Sequence, residues 1–251
     1  MTKGREIRVV EDPKAIFRAA AEEFAARAAE SIRKNGLFTV CLAGGSTPKG
    51  LYSLLAGDPA FRDRVAWEKV HFFFGDERHV PPDHADNNYR MAYEAMLSKL
   101  PAPPWNTHRH ATEAPADFAA EYYEKILGGF FKLKPGELPR FDLVLLGMGP
   151  DGHTASLFPG TAAVHEKTRL CVAPWVEKFK SFRVTLTPHV LNNAAAVMFM
   201  AAGADKAGTL KEVLEGPYEP DRLPSQVIRP GDGEFLWLVD RPAARLLTTT
   251  S

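Results

Sequence analysis

LFTVCLA, residues Leu37–Ala43, runs directly into GGSTPK, residues Gly44–Lys49. The first piece is a short, nearly unbroken apolar run, as expected of a strand covered on both faces. In the second piece two glycines turn the chain, and Thr47 followed by Pro48 reads as the cap and first residue of a helix. Upstream, Asp12-Pro13 is a helix start, Ile16, Ala20, Phe24, Ala28 and Ile32 recur at four-residue spacing, and Gly36 ends the helix. Downstream, Val70–Phe74 (VHFFF) is a second buried strand that ends in Gly75-Asp76-Glu77-Arg78. A loop rich in Pro, Asp and Asn then leads to a helix over Tyr89–Leu100, stopped by Pro101, and another helix follows over Asp117–Leu127.

Phe141–Leu146 (FDLVLL) repeats the strand pattern and runs into Gly147–Gly152. Further strands are expected at Leu170–Ala173, Phe182–Leu186, Ala196–Ala201 and Phe235–Val239, with a helix over Asp205–Leu214 closed by Gly216 and Pro217. Strands alternating with helices imply an α/β fold with a mainly parallel sheet and helices on both faces. No linker marks a boundary and no internal repeat is visible, so residues 1–251 read as one domain, with room for a small lobe. In such a sheet ligands bind beyond the carboxyl ends of the strands. Gly44–Thr47, Gly75–Pro81 and Gly147–Phe158 all lie there.

The 251 residues carry 31 Lys+Arg against 31 Asp+Glu, so the formal net charge is zero. That removes the electrostatic footprint of a nucleic-acid binder, and any anionic ligand must be held by a few placed groups. Apolar residues at 45% and charged residues at 25% exclude disorder. Cys41 and Cys171 both sit inside apolar runs, which argues against a disulfide framework and a cysteine zinc site. Met1–Val10 lacks the apolar core of a signal peptide, and no run approaches the roughly 18 apolar residues of a spanning helix. The expectation is a soluble cytoplasmic protein without a membrane partner.

Gly44-Gly45-Ser46-Thr47 between strand and helix suits an anion, because glycine lets backbone N–H groups approach it and the helix presents its positive end. A tight turn with a capping threonine reads the same way, and neither a dinucleotide fingerprint nor a Walker motif is present. In Gly75–Pro81 (GDERHVP), Arg78 can fork onto a phosphate or polarise a carbonyl, and Asp76 can accept from sugar hydroxyls. A solvated charge cluster would look similar; its place at the end of a buried strand favours a site. In GMGPDGHTASLFP, Gly147–Pro159, His153 can take a proton from water near neutral pH, and Asp151 can orient the ring or a substrate hydroxyl. Ser46, Ser156 and Ser225 lie outside any GxSxG elbow, and His108 and His110 lack an evident third ligand, so neither a serine hydrolase nor a metal enzyme is indicated.

LAGGSTPKGLY (Leu42–Tyr52), FFGDERHVPPDHADNNYRMA (Phe73–Ala92) and LLGMGPDGHTASLFPG (Leu145–Gly160) closely resemble 6-phosphogluconolactonases. FRVTLTPHVLNNA (Phe182–Ala194), ADKAGTLKEVLEGP (Ala204–Pro217) and LPSQVIRP (Leu223–Pro230) extend the resemblance to nearly the whole chain. It implies a three-layer α/β/α sandwich with a Rossmann-like sheet, shared with glucosamine-6-phosphate deaminases and related to ribose-5-phosphate isomerases. The implied activity is hydrolysis of 6-phospho-D-glucono-1,5-lactone to 6-phosphogluconate in the oxidative pentose phosphate pathway, without cofactor or metal. The implied partner is a small sugar-phosphate lactone, and the chain is expected to work as a monomer or small homo-oligomer.

By the same resemblance the general base falls on His153, and the family's arginines fall on Arg78 and Arg183. The sugar-phosphate loop falls on Gly44, Gly45, Ser46 and Thr47, and the acids beside the site on Asp76 and Asp151. Which arginine meets the phosphate stays open. Two alternatives remain: an amino-sugar-phosphate deaminase/isomerase, and a non-catalytic sugar-phosphate sensor. The deaminase carries an aromatic residue where Arg78 stands and a relay carboxylate where Phe158 stands. The sensor is disfavoured by retention of His153 with both arginines, and by the lack of an appended DNA-binding domain.

Overall fold

In the computed structural model, which describes residues 4–248, Phe38–Leu42 of the apolar run after Gly36 is a strand with every residue buried. The strands in chain order are β1 (Arg5–Val10), β2 (Phe38–Leu42), β3 (Val70–Phe74), β4 (Asp76–Arg78), β5 (Thr107–His108), β6 (Leu143–Gly147), β7 (Cys171–Val172), β8 (Trp175–Val176), β9 (Ser181–Leu186), β10 (Ala196–Ala201) and β11 (Glu234–Asp240). The α-helices are α1 (Pro13–Asn35), α2 (Ser46–Gly57), α3 (Pro59–Arg62), α4 (Asn88–Ala95), α5 (Ala116–Phe131), α6 (Pro188–Asn192), α7 (Ala207–Glu215) and α8 (Arg241–Ala244).

Seven strands form one sheet in the order β1-β11-β10-β6-β2-β3-β5, and every pairing in it is parallel. Strand side chains alternate between two cores. Cys41, Phe73, Val144, Phe199 and Trp237 face α5–α8, while Val40, Phe72, Leu143, Met198 and Leu236 face α1–α4. The three-layer α/β/α arrangement follows, because a parallel sheet must bury both faces. The strand order reverses between β2 and β6, so their carboxyl ends flank a crevice at the topological switch point.

Local signals set the first elements. Asp12 accepts from the Ala15 N–H at 2.8 Å to cap α1, and Gly36 closes that helix at φ 81°. At the end of β2 the buried Tyr52 hydroxyl accepts from Ala43 N at 2.9 Å and donates to Ala43 O at 2.8 Å, fixing where the strand gives way to the glycine turn.

Several expectations are corrected. α2 begins at Ser46 with Gly45 in the cap position, so Thr47 lies in the first turn and is not the cap. The helix expected over Tyr89–Leu100 is α4, ending at Ala95, followed by a 3-10 turn at Leu97–Lys99. The start expected at Asp205 is a 3-10 turn, Ala204–Lys206, before α7. β7, expected over Leu170–Ala173, and β9 leave the main sheet. With β4 they form a separate antiparallel sheet in the order β4-β9-β7, and β8 also pairs with β9.

Candidate active site

The loops after β2, β3, β6 and β10 open onto one cavity of about 790 Å³ at the carboxyl edge of the parallel sheet. Gly44, Gly45, Ser46, Thr47, Asp76, Arg78, His153 and Arg183 all line it. Asp151 stands one hydrogen bond behind, through His153.

On the β2 side, Gly45 holds φ 100°, a left-handed conformation that a side chain would strain. That turn starts α2 without any side-chain cap, and Ser46 and Thr47 of the first turn line the cavity, where their uncapped N–H groups suit an anion.

Beyond β3 the two acids separate. Asp76 is buried at the cavity wall and accepts from Ser156 Oγ at 2.7 Å. Glu77 turns away and accepts from the backbone N–H groups of Arg78, Asn88 and Tyr89 at 2.9, 2.6 and 2.9 Å, tying the start of α4 to β4. Burial pushes the Glu77 carboxyl up to about 7 against those donors. His79 also points elsewhere, with Nε2 2.8 Å from Ala114 O.

The two arginines meet because β4 and β9 pair antiparallel with Arg78 opposite Arg183. Like charges directly opposite on two strands repel. Neither is within ion-pair distance of a carboxylate among the described residues. Arg78 instead donates to the Asp86 carbonyl at 2.7 Å, and Arg183 lies over the Phe179 ring at 4.9 Å and donates to Phe182 O at 3.1 Å. Burial first, and then the facing Arg78, lowers the Arg183 guanidinium from its ordinary value. An arrangement this costly for cations gains from an incoming anion.

After β6, His153 Nδ1 donates to Asp151 Oδ1 at 2.5 Å, which leaves Nε2 as the acceptor nitrogen. The far oxygen, Asp151 Oδ2, accepts from Lys178 Nζ at 2.8 Å. Partial burial raises the Asp151 carboxyl, but the hydrogen bonds from His153 and Lys178 outweigh it and hold the group well below the usual carboxylate range. Phe158 stacks on the imidazole with centroids 4.1 Å apart and planes at 24°.

Gly149 has no room for a side chain: a Cβ there would lie 2.1 Å from the His153 ring. Gly149→Ala is therefore expected to displace the ring and cut turnover by about tenfold, with the thermal midpoint nearly unchanged, since the yielding group is a side-chain end. Steady-state kinetics beside a thermal melt check this, and unchanged turnover would show that the ring position is not critical.

Sequence reasoning missed Lys206, Asp205, Phe179 and Lys178, and weighed Ser156 only as a nucleophile; all five lie at or beside the cavity. Lys206 and Asp205 stood in the quoted ADKAGTL segment, so a signal existed. Lys178 lies in EKFKSF, where nothing sets it apart from a solvated lysine. Among the described residues no cluster of three or more His, Cys, Asp or Glu could hold a metal, and no helix is long and apolar enough to cross a membrane.

Residues 11–237 match the family of glucosamine-6-phosphate isomerases/6-phosphogluconolactonase. A Synechocystis protein named 6-phosphogluconolactonase is 41% identical over 222 residues, covering 88% of this chain and 89% of its own. A Nostoc protein of the same name is 39% identical over 246 residues, covering 97% and 99%. The solved 6-phosphogluconolactonase from Trypanosoma cruzi superposes with a TM-score of 0.87 at 31% identity, over 99% of both chains. With that match spanning the sheet and every loop around the cavity, the chain belongs to the glucosamine-6-phosphate isomerase/6-phosphogluconolactonase family.

Proposed function

We propose that this protein hydrolyses 6-phospho-D-glucono-1,5-lactone to 6-phosphogluconate, with His153 as general base. The observation that carries the reading is the Asp151–His153 pair at 2.5 Å, in one cavity with an arginine pair and an uncapped helix start. Asp151 fixes the tautomer, so His153 Nε2 accepts a proton as the water oxygen attacks C1. The C1–ring oxygen bond then breaks, and the same proton passes from Nε2 to the departing ring oxygen. Water has been added across the ester, and the new carboxylic acid ionises in bulk solvent.

Arg183, the α2 N-terminus and Lys206 hold the 6-phosphate, and Arg78 brings positive charge to the carbonyl oxygen as it becomes an oxyanion. Asp76, fixed by Ser156, takes sugar hydroxyls. Phe158 argues against the amino-sugar deaminase reading, since a phenylalanine stacked on His153 carries no proton for ring opening. Both sheets contribute to the cavity, so the chain works as one domain with the antiparallel sheet as its small lobe. The cytoplasmic placement expected from the sequence is part of this reading.

Purified protein is expected to speed the loss of freshly made 6-phosphogluconolactone above its spontaneous rate, to prefer it over unphosphorylated glucono-1,5-lactone, and to keep its rate after exhaustive chelation. Binding of 6-phosphogluconate without turnover of the lactone would replace the enzyme reading by the sensor. Activity lost on chelation and restored by one divalent ion would overturn the metal-free mechanism.

A further inference from the structure

The 3-10 turn Glu177–Phe179, between β8 and β9, contacts Asp151 directly and His153 through Phe158. Lys178 Nζ is 2.8 Å from Asp151 Oδ2. The next residue, Phe179, meets Phe158 edge to face at 5.5 Å, and Phe158 in turn lies on the imidazole. The turn thus reaches the carboxylate by charge and the ring by packing.

We propose that Lys178 is a positioning residue: it pins the outer oxygen of Asp151 and biases the His153 ring towards its neutral, proton-accepting form. The proposal rests on the lactonase reading above. The physical problem it answers belongs to any carboxylate–histidine pair. A carboxylate that orients an imidazole also stabilises the imidazolium, and an imidazolium cannot act as a base. A cation on the far oxygen offsets part of that stabilisation while leaving the orienting hydrogen bond in place. It also denies the carboxylate the freedom to rotate away from the ring. The depressed Asp151 carboxyl agrees with a group held between two donors.

The other charges around the ring are accounted for. Asp76 is engaged by Ser156, Arg78 by the Asp86 carbonyl, and Arg183 by Phe179 and the Phe182 carbonyl. Across the cavity Lys206 Nζ is 2.5 Å from Asp205 Oδ2, and on the turn itself Glu177 accepts from Trp175 Nε1 at 2.8 Å. Among the described residues Lys178 is the lysine or arginine that bonds to the Asp151 carboxylate directly.

The test uses the full chain with Lys178→Met, Lys178→Arg and, as a control for net charge, Lys180→Met. Two readouts are taken: the NMR titration of the His153 ring without substrate, assigned by the resonance lost in His153→Asn, and the pH profile of kcat/KM. In Lys178→Met both the ring midpoint and the acid limb of the profile should rise by roughly 0.5–1 pH unit, the exposure of Lys178 limiting the size of the shift. The shift should shrink as salt is added. Lys178→Arg should restore most of the wild-type profile, and Lys180→Met should leave both readouts in place. An unmoved ring midpoint in folded Lys178→Met, or an equal shift in Lys180→Met, overturns the role of Lys178. A ring that shifts while the acid limb stays put upholds the contact and removes His153 from the role of base. A protein inert towards the lactone overturns the lactonase reading, while the ring titration still decides the Lys178 contact.

Discussion

His153→Asn is expected to lower kcat on 6-phosphogluconolactone by about 10²-fold or more while KM changes little, since general-base help is typically worth about 10²–10⁴-fold. Asparagine keeps a donor that can face Asp151 Oδ1, the partner that His153 Nδ1 now meets at 2.5 Å. It has no basic nitrogen where Nε2 stands, so the water must give up its proton unaided. The ring is partly exposed at the cavity wall, which keeps the fold's dependence on it small. Loss of stacking on Phe158 is the main structural cost. Initial rates corrected for spontaneous hydrolysis, read beside a thermal melt, separate chemistry from folding. A folded variant that turns over at nearly the wild-type rate would take the base role away from His153. The lactone opens slowly without any enzyme, so a residual rate above background is expected from binding and orientation alone.

Much of this candidate site was legible because the cavity loops after β2, β3 and β6 each follow a strand buried between the two cores. Runs such as LFTVCLA and FDLVLL announce themselves, and the polar residues after them can be located by eye. β1 was not legible. As an edge strand it pairs, among the described residues, with β11 alone and buries only Ile7 fully, so REIRVV reads as a charged tail. α4 was read too long for the opposite reason. Met96, Leu97 and Leu100 are buried and continue the apolar spacing, but spacing reports burial and not helix type, and the backbone there tightens into a 3-10 turn.

The antiparallel sheet is the larger gap. β4 is three residues of charge, Asp76-Glu77-Arg78, without the apolar alternation that marks a strand, and its partner β9 lies about a hundred residues later. Local pattern therefore found Arg78 but could not bring Arg183 beside it. Only the resemblance of FRVTLT reached Arg183. Lys178 escaped both, because a lysine reads the same whether it meets water or a half-buried carboxylate.

The arginine pair carries the second large effect. Arg183→Lys is expected to raise KM for the phosphorylated lactone by about 10–100-fold with a much smaller fall in kcat, in line with about 1.5–3 kcal/mol for a hydrogen bond to a charged group. The charge is kept, so net electrostatic attraction does not explain the loss. What is lost is the fork, whose paired donors bind and orient a phosphate together, while an ammonium acts as a point. Arg183 is assigned the phosphate because it is the more buried of the two, and no carboxylate among the described residues lies within ion-pair distance of it. An arriving dianion relieves both its desolvation and its repulsion from Arg78. Arg78, anchored to the Asp86 carbonyl, faces the reacting end in this reading. Arg78→Lys should then mostly lower kcat, since a contact to the oxyanion strengthens only in the transition state. The comparison that decides is kcat/KM for 6-phosphogluconolactone and for unphosphorylated glucono-1,5-lactone, in wild type and both variants. Arg183→Lys should shrink the preference for the phosphorylated substrate, and Arg78→Lys should slow both lactones alike. Reversed signatures would exchange the two roles, silent changes at both positions would remove the pair from the site, and equal use of the two lactones by wild type would remove the phosphate from recognition.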